Sequence, residues 1–114
     1  MKTADRQYLT AVCLLLAANE GRGTMSAGLS QLRFADDMFY RNDKMVETVS
    51  SSDSRIIDSR SKSDSLALRV WAHSLAPDDG KHRVVIKNGV SELISRIGPN
   101  GVLADWYHEN GTPE

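Results

Sequence analysis

A single cysteine in 114 residues rules out an internal disulfide, so packing alone must hold this fold together. That residue, Cys13, lies in the most apolar stretch of the chain, where a free thiol packs as a small hydrophobe. One thiol without a bridge fits a reducing, cytoplasmic setting. Neither sign of charge is in excess: 14 basic against 15 acidic side chains leave a net charge of −1. That balance supplies no field to gather nucleic acid or an anionic membrane. No apolar run reaches the roughly 20 residues that span a bilayer, so no membrane partner is expected. His73, His82 and His108 are too far apart to form a recognised metal-ligand spacing. Pro77-Asp-Asp-Gly80 lacks the later liganding positions of a calcium loop. Gly21-Arg-Gly23 is short and follows a helical stretch rather than a strand, so it is no phosphate loop. Serine is abundant, yet no nucleophile elbow is present. These absences argue against an enzyme, a metal or a cofactor. A histidine paired with Asp105 or Glu109 is the one acid–base arrangement left open.

The run Tyr8-Leu-Thr-Ala-Val-Cys-Leu-Leu-Leu-Ala-Ala18 is present, and the chain must be built around it. On a helix, Leu9, Val12, Cys13 and Leu16 take one side, with Leu14, Leu15 and Ala18 opposite. A helix apolar all round is buried against several neighbours. A signal peptide is the rival reading, but Asp5 sits where basic residues belong, and Asn19-Glu20 is a poor cleavage boundary. Thr3 and Asp5 suit the helix start, and Gly21 with Gly23 suits its end. Thr24 then caps a second, antiparallel helix.

Met25, Leu32, Phe39 and Val46 are spaced by seven, with Gly28, Ala35, Asn42 and Val49 three residues after each. This predicts one long amphipathic helix to Val49, or a break near Ala35-Asp-Asp37. Met38, Phe39 and Tyr40 cannot all face inward on one helix, because successive positions turn by about 100°. With Arg41 and Met45 they form the predicted protein-binding surface: Tyr40 and Met38 as adaptable anchors, Arg41 as rim. Ser50 to Ser65 is polar and small apart from Ile56-Ile57, and predicts a mobile connector within a single domain spanning residues 1–114.

Leu66 to Ala76 fits either period, but its alanine and leucine content favours a helix, stopped by Pro77. Arg69 and His73 share a polar stripe on it. Lys81-His-Arg-Val-Val-Ile-Lys87 predicts a strand, β-branched at its centre, turned by Asn88-Gly89. Val90 to Ile97 predicts a short helix closed by Gly98-Pro99. Val102 to His108 is a second strand or a final helical turn, and the tail from Glu109 is frayed.

The resulting expectation is a mainly α domain, with α+β as the alternative: a compact helical body around one fully apolar N-terminal helix, with a small C-terminal β element. The stretch Leu9–Arg33, helix then glycine-bearing turn then helix, loosely resembles the opening of a winged helix-turn-helix domain. The strand at 82–87 paired with 102–108 would serve as the wing. That resemblance implies a DNA-binding transcriptional regulator. Asp36, Asp37 and Asp43 oppose it, since they would repel phosphates where a recognition helix needs cations. The preferred reading is a non-catalytic, cytoplasmic accessory or regulatory protein acting by protein–protein interaction. It could be an inhibitor of the kind a phage or plasmid encodes against a host protein, with homodimerisation open. Two observations would separate the classes. A flat apolar patch favours a protein partner, whereas a pocket holding a histidine beside a carboxylate favours catalysis.

Overall fold

The computed structural model describes residues 1–114 and is mainly α, with small antiparallel β elements. Strand β1 (Lys2–Thr3) leads into helix α1 (Ala4–Asn19), and α2 (Met25–Phe39) follows. The hairpin β2 (Tyr40–Arg41) and β3 (Lys44–Met45) comes next, then β4 (Thr48–Val49), β5 (Ile56–Asp58) and β6 (Ser61–Lys62). Helices α3 (Ser63–Leu75) and α4 (Gly80–Ser95) follow, and β7 (Trp106–Tyr107) closes the chain. The strands form one sheet in the order β1-β4-β5 and two pairs, β2-β3 and β6-β7. No helix is long and apolar enough to cross a membrane.

Helix α1 packs against both α2 and α3, and α4 packs on α3. Asn19 Nδ2 donates to Leu75 O at 3.1 Å, so α1 and α3 end at the same level and run parallel. Tyr8, Val12 and Leu15 from α1 meet Phe39, Val49 and Leu66 in the fully buried core. A Cβ on Gly28 would sit 2.6 Å from Leu15 Cδ2, so the glycine sets how closely α2 approaches α1.

Helix α1 is not apolar-buried all round. Leu15 is fully buried, but Leu14 is exposed, as are Leu9, Leu16 and Cys13. Only two helices flank it, and its remaining side has no cover. Helix α2 stops at Phe39 rather than continuing to Val49. Asn42 (φ 53°) and Asp43 (φ 60°) both take left-handed backbone, the pairing a two-residue hairpin loop requires, and turn the chain between β2 and β3. The seven-residue stripe nevertheless points inward: Leu32, Phe39 and Val46 are all buried.

The serine-rich segment is structured. It pairs as β4-β5, and Ser61, Ser63 and Ser65 are buried where Arg96, Ala104 and Glu47 bond them. Residues 81–87 form helix, not strand. Asp79 Oδ1 accepts from His82 N at 3.0 Å and caps one continuous α4 through Val90 to Ser95. Gly89 sits mid-helix because a Cβ there would run into Val70 Cγ2 of α3. This tertiary seat outweighs the β-branched preference of Val84-Val85-Ile86. The final strand therefore pairs with β6, as Ser61 opposite Tyr107, and not with residues 82–87. The tail is tied back by a Tyr107–Pro113 bridge and an Arg60–Glu114 ion pair at 2.6 Å.

Candidate functional site

The polar stripe of α3 meets a carboxylate on α2. Asp36 Oδ1 accepts from Arg69 Nε at 2.8 Å and from the Tyr8 hydroxyl at 2.7 Å. Asp36 Oδ2 bonds His73 Nε2 at 2.9 Å. Arg69 also lies over the Tyr40 ring, 3.6 Å from its centroid. Burial opposes charge on Asp36, but the bonds from His73, Arg69 and Tyr8 and the Arg69 charge outweigh it, holding its pKa at about 2. Burial, and then the Asp36 charge, push Tyr8 well above its usual range, so its hydroxyl stays a donor.

An ionised Asp36 can only accept, so His73 carries a proton on Nε2. His73 Nδ1 lies 2.8 Å from His82 Nδ1 at the start of α4. With His73 neutral, its Nδ1 accepts and His82 Nδ1 donates, which leaves His82 Nε2 with a free lone pair. Next to these rings lies a cleft of about 460 Å³, lined by Leu29, Leu32, Asp36, His73, His82 and Val85 among others. Neither Asp105 nor Glu109 pairs with a histidine; the histidine–carboxylate contact in the structure is His73 with Asp36. His108 stands apart, beside a polar cavity of about 330 Å³ near Arg96 and Ser61.

The opposite side of α3 is uncovered and carries Trp71 beside Ala67 and Ser74. Trp71 is two positions from both Arg69 and His73, so it lies about 200° round the helix from each. It is 46% exposed. On α1, Leu9, Cys13 and Leu16 fall within about 60° of one another and are exposed. On α4, Val90 and Ile94 are exposed about 140–180° round from Val85 in the cleft, and Ile97, just past the helix, is exposed as well. Val70 of α3 faces α4, and the Leu75 carbonyl at the end of α3 meets Asn19 of α1.

The sequence-predicted binding surface is not a surface. Met38, Phe39 and Met45 are buried, Tyr40 is half-buried beneath Arg69, and Arg41 donates to Met38 O at 2.8 Å and Ser54 O at 2.7 Å. The chain leaves the helix at Phe39, so the 100° argument for outward-facing neighbours ceases to apply there. Helices α1 and α2 follow one another across a short glycine-bearing turn. Exposed positions of α2, however, include Ser26, Ser30, Phe34, Arg33 and Asp37, which make no basic stripe, and the wing strand at 82–87 is helix. Comparison with protein-family models, curated proteins and solved structures finds no match.

Proposed function

We propose that this protein acts by protein association through the apolar face of α1, α3 and α4, and that a second copy of the chain is the occupant. The observation that carries the reading is that face. Leu9, Leu16, Trp71, Val90 and Ile94 are 37–61% exposed and stand on α1, α3 and α4, which pack side by side. A contiguous apolar patch of several hundred Å² on a small domain marks an interaction site. A domain ordinarily buries its apolar face beneath a second layer, and α1, α3 and α4 have none on this side.

Self-association fits the charges along α1. The exposed row runs Arg6, Leu9, Cys13, Leu16, Glu20, positive at its start and negative at its end. A two-fold axis lying in the face and crossing the helices sets α1 antiparallel on its own copy. Arg6 of one copy then lies opposite Glu20 of the other, with Cys13 at the midpoint. Because α1 and α3 end level at Asn19 and Leu75, Cys13 and Trp71 lie within about 3 Å of one height along the helices. One axis therefore brings both rows together. A net charge of −1 adds little repulsion between copies. The dimer would leave both Asp36 clefts on its outer surfaces, free for whatever the protein regulates.

Light scattering on the full chain tests this reading. The wild type is expected at twice the single-chain mass at micromolar concentration. Trp71→Asp and Ile94→Asp are expected at the single-chain mass with helix content retained, because both side chains already meet solvent. A wild type at the single-chain mass would reject self-association and leave the face to a different protein.

A further inference from the structure

We propose that the cleft between α2 and the start of α4 is a hydrolytic site for small neutral acyl esters, with His82 as its catalytic base and His73 and Asp36 as positioning residues. The cleft and the association face lie on opposite sides of α3, so this inference is independent of the dimer.

The geometry supplies three parts of such a site. First, the Asp36–His73–His82 chain of bonds, 2.9 Å and 2.8 Å, fixes which ring nitrogen is bare. Nε2 of His82 is the only nitrogen of the pair without a protein partner, and His82 is half-buried at the cleft. Second, the carboxylate is held ionised by Arg69 and Tyr8 from two other helices, so it can stabilise positive charge arriving on the imidazoles. Third, the walls suit the substrate class. Leu29, Leu32 and Val85 provide apolar surface, while Arg33 and Lys81 are balanced by Asp37 and Asp79. The third lining carboxylate, Asp36, is matched by Arg69 behind the wall, so the site has no excess charge and favours an uncharged ligand. No serine, threonine or cysteine lines the cleft, so the nucleophile is water.

The step balances without a co-reactant. His82 Nε2 takes a proton from water as the water oxygen bonds to the acyl carbon. The positive charge spreads by proton shift from His82 Nδ1 toward His73, next to Asp36. His82 then returns the Nε2 proton to the leaving oxygen as the acyl–oxygen bond breaks. Ester and water give acid and alcohol. Positioned general bases of this kind contribute about 10²–10⁴-fold.

The test has a kinetic and a spectroscopic arm, both on the full chain with 4-nitrophenyl acetate as probe. His82→Gln is expected to lower kcat/KM about hundredfold. His108→Gln, which alters an exposed histidine outside the cleft, is expected to leave it unchanged, and imidazole is expected to restore turnover to His82→Ala. Long-range ¹⁵N–¹H spectra of the wild type at neutral pH are expected to show His73 protonated on Nε2 and His82 protonated on Nδ1 alone. Equal rates for wild type and His82→Gln, an equal loss in His108→Gln, or a proton on His82 Nε2 in the uncharged ring would each overturn the proposal.

Discussion

Replacing Glu47 by Gln should stabilise this protein, and only above the ordinary carboxylate range. Glu47 lies between β3 and β4, is 4% exposed, and accepts the Ser65 hydroxyl at 2.9 Å. Its main chain is fixed as well: Glu47 O accepts from Ala4 N, and Glu47 N donates to Asp58 O. Burial raises its pKa from 4.5 to about 7, and the Ser65 bond offsets only part of the effect. At about 1.4 kcal/mol for each tenfold, that shift is worth about 3 kcal/mol. The sign follows from linkage. The folded state holds the proton more tightly than the unfolded chain, so stability is fully present below 4.5 and is lost as pH rises through about 7. Glutamine keeps an acceptor for Ser65 and carries no charge. Urea unfolding followed by the fluorescence of Trp71 and Trp106 at about pH 5 and about pH 8 measures both proteins. The stability difference, variant minus wild type, should grow by about 2.5 kcal/mol between those values, because part of the effect is already present at about pH 5. Other titrating groups cancel in that difference. A difference independent of pH, or a variant less stable at the higher pH, would refute the reasoning.

Leu15→Ala should cost about 2–5 kcal/mol, whereas exposed Leu14→Ala should cost well under half as much, as urea midpoints will show. Asp36→Asn leaves Arg69 buried without its partner and should cost about 3–5 kcal/mol by the same assay. The wild type should also lose the Asp36 contribution on acidification from 3.8 toward about 2. Gly89→Ala should cost about 1–3 kcal/mol by driving a methyl into Val70, and Val70→Ala in the same chain should recover part of that loss.

What could be read in advance followed the local signals. The Thr24 cap of α2, the glycines after α1, the inward stripe Leu32–Phe39–Val46 and the helix at α3 carry their cause in sequence, whereas Thr3 stands at the start of α1 without a side-chain capping bond. Helix α4 was hidden because Val84-Val85-Ile86 favours a strand, and its deciding features are a cap at Asp79 and a seat for Gly89 against Val70. A Pro-Asp-Asp-Gly sequence serves a turn and a helix cap equally well. The Asp36 cluster left one trace, the Arg69–His73 stripe on an apolar helix, which required an acceptor from elsewhere. Nothing local marks Asp36 rather than Asp37 as that acceptor: the choice depends on how α2 is rotated against α1 and α3. The apolar face was misplaced for a similar reason. Leu9 and Leu16 look like core until the helices that might cover them are counted.

Cross-linking through Cys13 tests the association face most directly, because the thiol is the only one in the chain, is exposed, and lies at the midpoint of the Arg6–Glu20 row. A short bifunctional maleimide should join two wild-type chains in high yield at micromolar protein, and Trp71→Asp should abolish the product while leaving Cys13 reactive to a monofunctional maleimide. A wild type that labels fully with the monofunctional reagent yet yields no linked pair would contradict the antiparallel dimer.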